Sequence, residues 1–385
     1  MKKFNWQEQR AARAFIALED GTVFHGYSVG ANKNTVGEAV FNTGMTGYQE
    51  ILTDPSYSGQ FVVMTTPEIG NYGVVPAEDD ESARFCAAGF IVHEMRAASN
   101  WRSRENLADA LKAQDVPALA GIDTRALTIH LRDHGSMKAF ICADGNVSEA
   151  DAIARAQAWE GLVGQDYATK VSTKKAYVWD ESGERSRSFG SPVPAKIKYN
   201  VVAYDFGIKF GILRCMRRLG MRVTVVPAGM PASEVLAMKP DGIFLSNGPA
   251  DPAALPHIFE QVKLLHGNTP MMGICLGHQL LGLSFGAKTV RLRFGHHGCN
   301  HPVKDLLTGT IEITSQNHNY AVVAGTLPEC VEVTHINLND NTVEGLQHKA
   351  LPIFSVQYHP EAAPGPHDSA PLFERFAKMM DAAKS

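Results

Sequence analysis

At 385 residues the chain is too long for one ordinary hydrophobic core, so two domains are expected. Its 44% apolar and 20% charged residues exclude a disordered chain, and a formal net charge of -4 gives no reason to expect nucleic acid or an anionic membrane as partner. No apolar run approaches the roughly 20 residues that span a bilayer. The first short apolar run, from Ala14 to Leu18, is broken by Glu19 and Asp20 and is too brief for the core of a secretory signal. A cytoplasmic protein with no membrane contact is the expectation.

In chain order, residues 1–165 read as a β-rich domain. AFIALEDGTVFHGY predicts two strands around an Asp20-Gly21 turn, and FVVMTT and AAGFIVHEM are further strand candidates. GIDTRALTIHLRDHG predicts a helix with Asp123 or Thr124 as its N-cap and Gly135 just past its end. Between 166 and 198 the pattern dissolves into DESGERSRSFGSPVPAK, a polar stretch rich in Pro, Gly and Ser that reads as a linker. From 199 to 385 strands alternate with helices: YNVVAYDF, then KFGILRCMRRLG, then MRVTVVP, then DGIFLS. That alternation predicts an α/β domain with a mostly parallel, helix-flanked sheet. In such sheets ligands bind beyond the carboxyl ends of the strands. Three glycine-bearing turns are expected on that edge: Asp205-Phe206-Gly207, Asn247-Gly248-Pro249 and Gly273-Ile274-Cys275.

The third turn carries a nucleophile. Six cysteines are scattered without a CxxC pair, and five of them read as small buried hydrophobes. Cys275 differs, because Gly273-Ile274-Cys275-Leu276-Gly277 has the shape of a G-x-S-x-G nucleophile elbow with sulfur in place of oxygen. PMMGI is the incoming strand, and Leu276, Leu280 and Leu283 mark one face of the outgoing helix. The N-terminus of a helix favours thiolate, and the N–H of Leu276 is placed to donate to an oxyanion.

A thiolate nucleophile benefits from a base, and the base from an orienting group. In LPIFSVQYHPEAAPG an alternating run ends at His359, and Pro360 favours extended geometry there. Residues i and i+2 of an extended chain share a side, which sets Glu361 beside His359. A rival cluster, His296, His297, Cys299 and His301 in FGHHGCNHPV, fits no familiar zinc spacing and predicts a hydrogen-bonded loop, not a metal site. No P-loop or GxGxxG occurs, so no ATP or dinucleotide site is expected in this chain.

GICLGHQLLG followed by QYHPEA resembles the class I glutamine amidotransferases, which use a Cys-His-Glu triad. FNTGMTGYQEILTDPSYSGQ, GNYG, IDTRALT, VVAYDFGIK, LSNGPADP, FGHHGCNHPV, SQNHNYAV and HPEAAPGPHD narrow the likeness to the carbamoyl-phosphate synthase small chain family. The likeness runs from about residue 14 to 375. It implies hydrolysis of L-glutamine to glutamate and ammonia through a thioester on Cys275, with His359 as acid/base and Glu361 as its partner. The ammonia would pass through an internal channel to a large subunit that makes carbamoyl phosphate for pyrimidine and arginine biosynthesis. No cofactor is implied in this chain; ATP and metal ions belong to the large subunit.

The resemblance also implies a glutamine pocket lined by Ser56, Gly248, Ala250, Leu276, Gln279, Asn317, Asn319 and Tyr320, with Ser56 contributed by the N-terminal domain. Lys209 matches a family position for which no role beyond shaping the site is expected. Three residues depart from the family pattern, each standing where glycine is usual: Ala250, Asn319 and Cys299. At Ala250 and Asn319 a positive φ is the feature that would make the replacement matter. These departures motivate one alternative, a catalytically weak scaffold or regulatory subunit of the same complex. A free-standing cysteine hydrolase of similar build is another.

Overall fold

A computed structural model describes residues 13–75, 80–187, 193–194, 196–249 and 251–384. The chain divides into two compact units, Met1–Leu162 with Arg293–His297, and Val163–Leu292 with Gly298–Ser385.

In the first unit, β1 (Arg13–Leu18) and β2 (Val23–Ser28) form the hairpin that EDGT predicts, with Ala17 opposite Val23. The other strands are β3 (Thr35–Asn42), β4 (Gln60–Met64), β5 (Glu68–Ile69), β6 (Gly89–Ile91), β7 (Glu94–Met95), β8 (Ala118–Ala120) and β9 (Met137–Cys142). Among the described residues, seven of them close into a barrel in the order β1-β2-β8-β6-β4-β3-β9. Closure leaves no unpaired edge. Ile16, Leu18, Phe61, Val63, Ile91, Leu119 and Ile141 pack in its core. The helix Thr124–His134 starts as its sequence predicts, with Asp123 accepting from the N–H of Ala126, and stops at Gly135. In the TGYQE segment the Tyr72 hydroxyl accepts from the N–H groups of Gly47 and Tyr48, and the two tyrosine rings stack 3.9 Å apart.

The second unit contains a ten-stranded sheet. Its strands are β10 (Tyr177–Val178), β11 (Tyr199–Asp205), β12 (Met221–Pro227), β13 (Gly242–Leu245), β14 (Met271–Ile274), β15 (Thr289–Asp305), β16 (Ile311–Val322), β17 (Val331–Asn337), β18 (Val343–His348) and β19 (Ile353–Val356). The order is β10-β12-β11-β13-β14-β19-β18-β17-β15-β16. The run from β12 to β19 is parallel, while the β10, β18 and β17 pairings are antiparallel. The sheet is therefore more evenly mixed than the strand-helix alternation predicts. After β15 no long helix separates the strands, so they return by hairpins, which only antiparallel pairing allows. The parallel strands are short apolar runs because helices cover both of their faces.

Much of the stretch from 166 to 198 that reads as a linker is folded into this unit. β10 pairs with β12, Trp179 is buried, and its indole N–H donates to the Ser186 hydroxyl. Arginines of the helix Phe210–Arg218 satisfy the carbonyls of the segment: Arg214 on Arg185, Arg217 on Asp180 and Pro194, Arg218 on Ser186. Composition cannot reveal such a segment, because side chains elsewhere in the chain supply its backbone partners. Residues 188–192 and 195 of that stretch lie outside the described residues. Among the described residues no helix is long and apolar enough to cross a membrane.

Candidate active site

β14 enters the site and the helix Leu276–Ser284 leaves it, with Cys275 as the joint. Cys275 sits at φ 54, ψ -107, a region disfavoured by residues with a Cβ and costing of the order of 1–3 kcal/mol. The Cys275 N–H donates to Val356 O, which ties the elbow to the neighbouring strand β19. The flanking glycines are there for close approach. A Cβ on Gly273 would lie 2.8 Å from the carbonyl oxygen of Gly277, and one on Gly277 would collide with the carbonyl of Leu245. A Cβ on Gly248 would strike the carbonyl of Phe206. The three turns at the ends of β11, β13 and β14 are thus pressed backbone to backbone. Ser246 locks them further, its hydroxyl accepting from the Phe206 N–H and its carbonyl from the Gly277 N–H.

The outgoing helix is buried on nearly every side, including His278 and Gln279. Leu276, Leu280 and Leu281 are its most buried apolar residues, and Leu283, predicted on the inner face, is only half-buried. The helix begins at Leu276, whose N–H has no partner within the helix.

His359 lies three residues beyond the end of β19, which pairs in parallel with β14, so Cys275 and His359 leave the sheet side by side. Its own N–H donates to Ser315 O. His359 Nδ1 is 2.7 Å from Glu361 Oε1, and both side chains are almost completely buried. Nε2 is also buried and, among the described residues, has no hydrogen-bond partner of ordinary geometry. Burial opposes a charge on His359, but the Glu361 carboxylate and the Cys275 thiol outweigh it and raise the imidazole to about 10. Burial equally opposes ionisation of Glu361, and Lys209 with His359 outweighs it, holding the carboxyl down at about 2. The arrangement is a buried carboxylate, a strongly basic imidazole and a thiol on a strained turn, which suits nucleophilic attack on an acyl carbon.

The Cys275 thiol also faces Asn317 O at 3.5 Å. Asn317 belongs to β16, which hydrogen bonds hold firmly. His318 Nδ1 is 2.8 Å from Tyr320 O, and its Nε2 is 2.9 Å from Gln316 Oε1. Gln316 and Asn337 each donate an amide N–H to Glu344, at 3.1 Å. Gln279 donates its amide to Tyr320 O at 2.8 Å and to Gln357 Oε1 at 3.1 Å.

Residues 202–379 match the model of the class-I glutamine amidotransferase family, and residues 16–141 match that of the carbamoyl-phosphate synthase small chain, CPSase domain. Curated relatives span nearly the whole chain. The carbamoyl phosphate synthase small chain of Akkermansia muciniphila is 53% identical over 373 residues, covering 97% of this chain and 98% of that one. Those of Thioalkalivibrio sulfidiphilus (53% over 369 residues, 95% and 97% covered) and Pseudomonas syringae pv. tomato (52% over 371 residues, 95% and 98% covered) are similar at nearly the same level. The chain belongs to the carbamoyl phosphate synthase small chain family.

Of the positions that the family suggests for a glutamine pocket, Gly248, Leu276, Gln279, Asn317, Asn319 and Tyr320 lie in the same unit as Cys275, His359 and Glu361. Ser56 belongs to the other unit, buried in the turn Pro55–Tyr57, where its N–H is capped by Asp54. Ala250 lies outside the described residues. Asn319 is in β16 and is not among the residues with positive φ, so asparagine is not needed there for a left-handed backbone. Cys299 lies on β15 with its thiol 3.5 Å from Pro364 O, and His301 Nδ1 is 3.4 Å from the Asn337 amide.

The sequence reading named Lys209 without a role of its own and missed Glu344. Lys209 is buried, with Nζ 2.8 Å from Glu361 Oε1 and 2.9 Å from Ala362 O. Glu344 is buried behind β16. Lys209 was signalled by its match to a family position and by standing directly before a helix in a turn that already carried Asp205 and Gly207; Glu344 had no signal.

Proposed function

We propose that this chain is the glutamine-hydrolysing subunit of carbamoyl phosphate synthase, and that Cys275, His359 and Glu361 carry the reaction. The single observation behind the residue assignment is the strained Cys275 at a helix N-terminus, beside an imidazole that a buried carboxylate makes strongly basic. His359 takes the thiol proton and the sulfur attacks the side-chain amide carbon of glutamine. The N–H groups of Leu276 and Gly248 receive the developing oxyanion. His359 then gives its proton to the departing ammonia, leaving a thioester that water hydrolyses with His359 as base. Glu361 holds the ring's tautomer and stabilises the imidazolium. The pocket for glutamine is drawn from Ser56, Gly248, Ala250, Leu276, Gln279, Asn317, Asn319 and Tyr320.

The partner is the synthase large chain, with which this chain forms a heterodimer and to which the ammonia passes. ATP, bicarbonate and metal ions act on that partner, and this chain needs no cofactor of its own. It works in the cytoplasm, without nucleic acid or membrane. The scaffold alternative is not favoured, because the complete Cys-His-Glu set is retained.

Glutamate release from glutamine, measured with and without the large chain, tests this. Cys275→Ser is expected to lower release by at least about 10³-fold while ammonia-dependent synthesis by the pair is spared. Equal loss of both activities would overturn the assignment, and no release by the native pair would favour the scaffold.

A further inference from the structure

We propose that Gln357 is a positioning residue for substrate selection: it turns the side chain of Gln279 so that an N–H donor of glutamine is received on a fixed oxygen. The inference deepens the reading above and rests on it, since it takes Gln279 as part of the glutamine pocket.

Gln357 directly follows β19 and lies two residues before His359. Residues two apart on an extended chain share a side, so Ser355 and Gln357 meet the same neighbour, the helix Leu276–Ser284. Ser355 Oγ is 3.0 Å from His278 Nδ1, and Gln357 Oε1 accepts from the Gln279 amide at 3.1 Å. The Gln357 N–H donates to Glu344 O, which holds this part of the chain beside β18. Gln279 stands in the first turn of the helix, where its own N–H donates to Cys275 O at 3.1 Å. Both side chains are buried, Gln357 completely and Gln279 nearly so.

A carboxamide can present its nitrogen or its oxygen, and the neighbours decide which. The Gln279 amide lies 2.8 Å from Tyr320 O. A backbone carbonyl only accepts, so the group facing it is the NH2. That nitrogen carries two hydrogens; Tyr320 O takes one and Gln357 Oε1 the other. With both donors used, Oε1 is what Gln279 has left to offer a ligand. The same logic fixes Gln357. Turned over, it would set its own NH2 against that of Gln279, two donors facing each other. Its Nε2 is buried and, among the described residues, has no partner. An unanswered buried donor costs stability, and packing alone would not require one. The acceptor side of Gln357, which orders Gln279, is therefore the side that matters.

L-glutamine carries two kinds of N–H donor, the α-ammonium and the side-chain carboxamide. Two analogues separate them: glutaramate lacks the α-amino group, and L-glutamate γ-methyl ester lacks the carboxamide N–H groups. The full chain reconstituted with its large chain is assayed for kcat and KM with glutamine, and for the inhibition constant of each analogue in competition with it. Gln357→Leu is expected to raise KM for glutamine at least about tenfold with kcat changed less than about threefold, because the Gln279 amide becomes free to turn a donor towards the substrate. The analogue lacking the received donor should change less than about threefold: glutaramate if that donor is the ammonium, the ester if it is the carboxamide. An equal rise for glutamine and both analogues would overturn the proposal, since no single N–H would then depend on the Gln279 oxygen. So would a native KM for glutamine. Gln357→Glu, as acid or carboxylate, still offers an oxygen to the Gln279 NH2 and should keep KM within about threefold of native. Should Gln357→Leu fail to fold, Gln357→Glu decides, and a rise of about tenfold or more in its KM overturns the proposal. Cys275→Ser runs alongside. If it still hydrolyses glutamine, the catalytic assignment fails and the Gln357 role falls with it. If it does not, a negative result at Gln357 bears on Gln357 alone.

Discussion

Two buried carboxylates of the second unit, Glu361 and Glu344, are held in opposite ways. Glu361 lies between an ammonium and an imidazole, at 2.8 Å and 2.7 Å, both on one oxygen. Glu344 receives amide N–H groups from Gln316 and Asn337, one on each oxygen, with His318 3.9 Å away. Both are essentially unexposed. Pairing with an imidazole beside a nucleophile passes the carboxylate's charge to a group that moves protons. Pairing with amides, whose protons do not move, gives fixed geometry instead, and the geometry fixed is that of β16 beside the thiol. Burial alone therefore does not distinguish the two carboxylates; the chemistry of their donors does.

Substituting each acid by its amide separates the two roles. Glu361→Gln is expected to lower glutamine turnover by about 10²–10³-fold, because the ring loses both its orienting group and the charge that makes it basic. Steady-state glutamate release measures this, and a loss smaller than tenfold would erase the contrast. Asn337→Leu removes one donor to Glu344, so a loss of about 1–3 kcal/mol is expected in denaturant unfolding. Glu344→Gln keeps the shape but turns one acceptor into a donor facing an amide N–H, and about 1–2 kcal/mol of stability should go. Its turnover should stay within about threefold of native. A turnover collapse like that of Glu361→Gln would make Glu344 part of the chemistry.

A last test is a pH dependence. Glu361, with its carboxyl lowered from 4.5 to about 2, contributes stability that is present above about 4.5 and lost as the pH falls toward 2. His359, raised from 6.5 to about 10, contributes stability that is complete below about 6.5 and lost as the pH rises to 10. The native protein should therefore lose stability relative to His359→Gln on going from pH 6.5 to 10. Parallel curves across that range would mean that the imidazole is not held charged.

Most of the candidate site was legible in the sequence because it lies in short local patterns. The elbow depends on five consecutive residues, and His359 and Glu361 sit two apart in an extended segment, so spacing alone sets them side by side. The hairpin at Asp20-Gly21 and the cap at Asp123 were readable for the same reason. The folded stretch after residue 166 was not, since its carbonyls are satisfied by arginines more than 20 residues away along the chain. The balance of parallel and antiparallel strands was likewise hidden, because a strand's partners are not written in its own residues.

By itself, the sequence determined which side chains could act: a thiol on a tight turn, an imidazole and a carboxylate at a strand end, and glycines wherever backbones must touch. Only the tertiary structure decided that Lys209, 152 positions from Glu361, would become its counter-ion, and that Glu344 would be held by amides. Those pairings join residues far apart in the chain, and a buried charge takes whatever partner the packing brings within about 3 Å.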